Sequence, residues 1–354
     1  MNRLEIETYR SINKSFTRKM VYHVGVDSGF FVEMNYMINA MLYCLSKDIQ
    51  FQLYSVDANF ATGLGWSEYF LPFCDEIHDS FHHKYNFHRL PSWSRIIRLS
   101  WHQRSIGVIA WKIKSILKSL IGHVLAFWTY GEYVYLNQDV SLCYDDNYFI
   151  PVLDFRGTYS DAYTLLAKMI WKLHPSILQQ KEYYKNVLDI ASVYDGIQIR
   201  TGDKRGETEL IDGVRIMQKL NPEENVCVFV LSDNYQQILK LRASYPQVKI
   251  LTLCRTTENG YHHQEFCRLS DVEKKEAIVR LLISVDILLE SRSFVGSITT
   301  GPSVFIMKQR LSEPLVQAVD CPKSELAFSL FRTIDIRATI SRKYSSVPLD
   351  SILR

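Results

Sequence analysis

What this 354-residue chain lacks narrows it first. No GxGxxG follows a strand-like run, which disfavours a nicotinamide dehydrogenase. No GxxxxGK precedes a Ser or Thr, which argues against P-loop chemistry, and no GxSxG elbow supports a hydrolase. The seven cysteines show neither CxxC nor metal-ligand spacing, and an odd, unclustered set fits a reducing compartment. His82, His83, His88 and the pair His262-His263 lack helical ligand spacing and read as surface or loop histidines. The opening Met1-Asn2-Arg3-Leu4-Glu5 has no apolar signal region, and no run reaches the roughly 18 apolar residues of a spanning helix. A cytoplasmic protein is the expectation. Charged residues make up 22% and net charge is +3, an ordinary balance that does not point to nucleic acid.

One absence is local. No acid occurs between Asp79 and Glu132, while Lys84, Arg89, Arg95, Arg98, Arg104, Lys112, Lys114 and Lys118 accumulate there. Across 93–130 these alternate with Ile96, Ile106, Trp111, Ile113, Leu117 and Ile121, a pattern that suits peripheral contact with an anionic inner-membrane surface. The plainer reading is a helical subdomain with a solvated basic face.

What is present is α/β. Lys19–Val26 alternates as a strand, and a loop holding Gly29 follows. Met34, Met37, Ile38, Met41, Leu42 and Leu45 then recur at helical spacing before a second strand at Ile49–Ser55. Gly29 in that first turn could let the backbone approach a ligand. Later strands are expected at Gly196–Arg200, Val226–Leu231, Val248–Leu253 and Ser293–Gly296. Helices are expected at Glu209–Leu220, Tyr235–Ser244 and Asp271–Glu290, the last opened by Ser270 and Glu273 at capping-box spacing. Strands alternating with helices make a parallel sheet covered on both faces. The expected division is an acceptor-side α/β domain, 1–175, and a Rossmann-like donor domain, 176–354.

Chemistry gathers at strand ends. Arg200-Thr201-Gly202-Asp203-Lys204-Arg205-Gly206-Glu207 joins cations, carboxylates and glycines where open sheets bind ligands. Asp233 follows the next strand, where it could meet a ribose or base edge or simply cap a helix. Gly296-Ser297-Ile298-Thr299-Thr300-Gly301-Pro302-Ser303 puts hydroxyls at a helix start with Pro just inside, which reads as a phosphate cradle. Cations and helix starts without a metal motif suit a nucleotide-sugar transferase, in which fixed positive charge meets the leaving diphosphate.

These segments also carry a resemblance. Ile197-Gln198-Ile199-Arg200-Thr201-Gly202-Asp203-Lys204 resembles the "HVRRTDK" motif of α1,6-fucosyltransferases, including the nodulation fucosyltransferases, and more distantly that of protein O-fucosyltransferases. Leu173-His174-Pro175 and Gln180-Lys181-Glu182 resemble the helix leading into that motif. Val230–Asn234 is similar to their "ATDD" motif, and Phe294–Thr300 to "FVCTFSS". The resemblance spans about residues 160–310 and implies a GT-B-type fold, GDP-fucose as donor, inversion at the anomeric carbon and no metal or other cofactor. By position it gives Arg200 the donor pyrophosphate, Asp233 the nucleoside, and Thr299 and Thr300 the phosphates, with Asp203 and Lys204 shaping the loop. Thr201 stands where the family has its second arginine, so Lys204 or Arg205 must supply that charge or it is missing. Thr208 falls at the offset of the family's glutamate, which leaves Glu207 as base or loop-organising carboxylate. The acceptor expected for such an enzyme here is a surface glycan, such as a lipopolysaccharide or capsule precursor, though no motif marks it. A different nucleotide-sugar donor, or a non-catalytic nucleotide- or glycan-binding protein, stays open.

Overall fold

The computed structural model describes residues 4–24, 29–84, 106–130, 147–202, 211–223 and 226–331. Asp203, Lys204, Arg205, Glu207 and the basic stretch 93–105 lie outside the described residues.

The first half opens with α1 (Ile6–Ser15), β1 (Arg18–His23), α2 (Phe30–Ser46), β2 (Ile49–Tyr54) and β3 (Asp75–Glu76). The strands form a parallel sheet in the order β1-β2-β3. The six apolar positions that predicted α2 are all buried, as the spacing requires of a helix laid on a sheet. A short helix α3 (Ser80–Lys84) and a long one, α4 (Ile106–Tyr130), follow, so the basic apolar stretch is helical over its described part. An antiparallel hairpin, β4 (Asn147–Ile150) and β5 (Phe155–Thr158), leads into α5 (Tyr159–Ile170) and α6 (Pro175–Val187). The first of these helices starts at Tyr159 because Thr158 and Asp161 form a capping box there.

The second half is β6 (Tyr194–Ile199), α7 (Gly213–Leu220), β7 (Cys227–Ser232), α8 (Tyr235–Ser244), β8 (Lys249–Leu251), α9 (His263–Phe266), α10 (Asp271–Glu290), β9 (Phe294–Gly296), α11 (Gly301–Gln309), β10 (Val316–Ala318) and α12 (Lys323–Phe331). Its five strands are parallel in the order β10-β9-β6-β7-β8. The chain therefore starts in the middle, builds outward through β7 and β8, then returns to add β9 and β10 on the other side. This is the doubly wound arrangement expected of a Rossmann-like sheet, and its switch point lies between β6 and β9. Residue 200 and residues 297–300 are the first to leave the sheet on either side of that point.

Both faces of this sheet are covered. Ile216, Met217, Ile238 and Leu241 of α7 and α8 pack on one face against Ile197, Ile199, Val228 and Val230. On the other, α10 buries Ile278, Leu282, Val285 and Leu288 in a core that runs without a break into the first half. Phe31 of α2 meets Phe305 of α11 at 5.2 Å between ring centroids, and Trp171 meets Phe305 at 4.7 Å. Phe331 of α12 sets its ring edge-on to Tyr159 and Tyr163 of α5. Lys308 of α11 is buried in the same place. Its Nζ donates to Asn35 Oδ1 at 2.6 Å and lies 4.3 Å from the Tyr163 ring and 4.8 Å from that of Phe331. Burial pushes this ammonium down to about 7.

Candidate functional site

In parallel α/β layers each strand ends and the next helix begins at one edge, so the edge collects helix N-termini and loops. Two such edges face each other here. α2 starts at the carboxyl edge of the first sheet, after β1, and α11 starts at that of the second, after β9. The two starts touch: a Cβ on Gly301 would come within 3.0 Å of Phe31 Cβ. Gly301 is thus needed for close approach, and Gly29, the N-cap of α2, has open space where a side chain would stand.

Neither start is capped by its own N-cap side chain. Gly29 has none to offer. Thr300, at the N-cap of α11, turns its hydroxyl away, donating to Gln198 Oε1 of β6 at 2.6 Å. Ser303 Oγ donates to the same oxygen at 2.6 Å. Gln198 therefore stitches the start of α11 to the central strand. Asp320, just past β10, receives Ser297 Oγ at 2.6 Å and the Ile298 amide at 3.0 Å, and Thr299 N donates to Ser297 Oγ at 3.1 Å. Ser297 and Thr300 are buried by these contacts and Thr299 is exposed. Of the expected cradle hydroxyls, Ser297 and Thr300 hold the turn, and Thr299, though exposed, sets its Oγ1 2.6 Å from Ser297 Oγ.

On the other side of the switch point sits Arg200. Its Nη1 pairs with Asp233 Oδ2 and its guanidinium lies over the Tyr261 ring, 4.6 Å from the centroid. Asp233 does more than pair. Oδ1 accepts the Thr201 amide at 2.9 Å and the Thr201 hydroxyl at 3.0 Å, and Oδ2 accepts the Tyr261 amide at 2.9 Å as well as Arg200. A carboxylate offers about four lone-pair sites, so this one is fully engaged. It is not the helix cap: Asn234 fills that role, its Oδ1 accepting the Gln236 amide at 2.9 Å.

Two glycines allow the clamp. Gly202 and Gly260 have φ of 73° and 102°, in the left-handed region that side chains avoid. A Cβ on Gly202 would overlap the Tyr261 backbone, and one on Gly260 would lie 2.9 Å from Gly202 Cα. Gly260 and Tyr261 are site residues that sequence reasoning missed. They lie about 60 residues from Arg200 in a segment without a motif, and only the N-G-Y composition marked a turn there. The structure brings Arg200 to Asp233, and the start of α2, through Phe31, to Gly301 at the start of α11, just after the Ser297–Thr300 turn. Asp203, Lys204 and Glu207 lie outside the described residues.

The first sheet's edge carries a second cluster. His23, at the end of β1, shares a hydrogen bond with His82 of α3, Nε2 to Nδ1 at 2.8 Å, and His82 lies 5.2 Å from the Tyr54 ring. The expectation that His82 is a surface or loop histidine is corrected: it is buried among rings, which disfavours the imidazolium and lowers its pKa to about 4. His83 is exposed and pairs with Asp57 at 2.7 Å. Lys181 is buried between α6 and α10, paired with Asp286 at 2.7 Å and with Glu290, and ties those helices together away from the edge.

No protein-family model matches the chain, and no curated protein matches it. Among solved structures the chain is similar to fucosyltransferase NodZ from Bradyrhizobium, at 13% identity, covering 86% of this chain and 96% of that one with a TM-score of 0.49. It is similar to Arabidopsis thaliana FUT1 at 13% identity, covering 86% and 73%, with a TM-score of 0.49. It is similar to POFUT1 at 9% identity, covering 86% and 98%, with a TM-score of 0.44.

Proposed function

We propose that this chain is an inverting, metal-independent glycosyltransferase that moves fucose from GDP-fucose to a glycan hydroxyl. The observation that carries the reading is the switch point between β6 and β9, where Arg200 and the start of α11 stand on either side and the start of α2 closes in from the facing edge. Departure of the sugar leaves charge on the diphosphate. A guanidinium and two helix N-termini held in position before the reaction stabilise that charge without a metal.

In this reading Arg200 and Lys204 meet the pyrophosphate, Thr299 and the backbone around Ser297 and Thr300 hold phosphate oxygens, and Gly29 gives the donor room. The acceptor oxygen attacks the anomeric carbon from the face opposite the diphosphate, and the carbon–oxygen bond to phosphate breaks. Glu207 takes the hydroxyl proton, while Asp203 shapes the loop. Asp233 fixes Arg200 and the turn. The nucleoside role that the motif gives it requires one of its four hydrogen bonds to exchange for a ribose or base donor. The acceptor is a surface-glycan precursor such as lipopolysaccharide or capsule, presented on a lipid at the inner membrane, with the basic segment 93–130 against that surface.

A second reading keeps the scaffold and changes the donor. Thr201 supports it, since the position where fucosyltransferases carry a second arginine is here buried and committed to Asp233. Calorimetric titration of GDP, GDP-fucose, UDP and ADP with EDTA present, on wild type and Arg200→Ala, separates the two. Selective GDP binding that the variant loses supports fucosyl transfer. Binding of UDP or ADP instead of GDP removes it. Binding of none leaves a non-catalytic glycan-binding protein.

A further inference from the structure

α4 is 25 residues long and basic, with three lysines and no acid, and many of its described side chains are exposed. Ile113, Leu117, Leu120, Ile121, Val124 and Phe127 are all exposed, between 41% and 60%, and Trp128 reaches 78%. Large apolar side chains are seldom left open in such a row. At 3.6 residues per turn these seven fall within an arc of about 120°, a single stripe along the helix. Lys114, exposed, and Lys118, half-buried, border one side of the stripe. At 1.5 Å per residue the helix is about 37 Å long, yet among the described residues no helix is long and apolar enough to cross a membrane.

We infer that α4 is a docking face for an anionic bilayer, lying in the plane of the lipid surface with the stripe from Ile113 to Trp128 in the acyl boundary and Lys114 and Lys118 among the headgroups. The charge pattern decides between occupants. A second copy of this helix would bring lysines to lysines with no acid on either side to pair them, whereas anionic headgroups complement the helix, which carries lysines and no acid. Phe127 and Trp128 stand at one end, where aromatic rings suit the headgroup level. That the bilayer carries the acceptor rests on the transferase reading above. The docking face does not.

The test is sedimentation of the full chain with vesicles of phosphatidylcholine, alone and mixed with phosphatidylglycerol, alongside a GDP titration. The mixed vesicles should bind at least roughly tenfold more tightly, and high salt should weaken them. Leu117→Glu with Val124→Glu should cut binding roughly tenfold on the mixed vesicles while GDP binding stays unchanged. Lys114→Glu with Lys118→Glu should remove the preference for anionic lipid and provides a second probe that leaves the stripe intact. Absence of vesicle binding, or binding indifferent to both pairs of substitutions, overturns the inference. So does a dimer in sedimentation velocity that Leu117→Glu dissolves, since a second copy would then be the occupant. Vesicle binding by a chain that binds no nucleotide would support the docking face and remove the transferase reading.

Discussion

Helices in this molecule start in two ways. α5 and α10 open with capping boxes, Thr158 with Asp161 and Ser270 with Glu273, in which each side chain satisfies an amide at the helix end. α2 and α11 open at Gly29 and Thr300 without one. An uncapped start alone says little, because α1 also begins without a side-chain cap. What distinguishes α2 and α11 is position: they begin at facing sheet edges and touch through Phe31 and Gly301. Thr300 makes the point directly, since it has the hydroxyl for capping and spends it on Gln198. Capped starts anchor the fold, and the uncapped pair leaves its dipole ends to the cleft.

The comparison can be broken most sharply at its charged partner. Arg200→Ala should lower GDP affinity roughly 100-fold in calorimetry, the scale of a charge-assisted bidentate contact in a partly buried site. An unchanged affinity would take the anion away from the switch point.

The far end of α11 gives the next effect. Lys308→Met should raise stability by about 1–3 kcal/mol in urea melts near neutral pH, because a buried ammonium with no carboxylate partner among the described residues gives way to an apolar chain. The wild type should also gain stability as pH rises. With a folded value near 7 and an ordinary one of 10.5, the unfolded chain holds the extra proton between them, and the gain is lost as pH falls back through about 7. Lys308→Met should lose that part of the pH slope.

Gly29→Asp tests the uncapped start itself. The space is open and φ is −65°, so the carboxylate can cap α2 and add a few tenths of a kcal/mol to stability. Placed at the cleft it should weaken GDP binding roughly tenfold by repulsion. A variant that binds GDP as well as wild type would show that α2 does not face the anion. Ser270→Ala is the counterpart at a capped start. It should cost about 1 kcal/mol by thermal melting and leave GDP affinity untouched.

Much of the sheet was legible because its strands are apolar runs punctuated by turns. Tyr235–Ser244 and Asp271–Glu290 appear as predicted, the second because its capping box is written in adjacent residues. The short strands were not. Asp75–Glu76 pairs through two residues without an apolar pattern, and Val316–Ala318 is defined by its neighbour β9 more than by its own sequence. The same holds at the site. Arg200, Asp233 and Thr300 sit at strand ends, where a residue's type and place in the chain suffice to mark it. Gly260 and Tyr261 act through a backbone contact with Gly202, which exists only once the loops after β6 and β8 meet. The burial of His82 escapes the sequence for the same reason, since it depends on His23 of β1 and Tyr54 of β2 meeting α3.

The unbroken core between the halves bears on how the chain is made. Phe31 waits for Phe305, and Tyr159 and Tyr163 wait for Phe331. About 270 residues separate the first pair, so at roughly 5–20 residues per second a ribosome takes some 14–55 s to deliver the partner. Until then the nascent first half carries Phe31, Tyr159 and Tyr163 without the rings that pack on them from the second half. A message truncated before α11 would yield not a smaller folded domain but a chain with an open apolar face, and yield in a cell should depend on the chaperones that hold such chains.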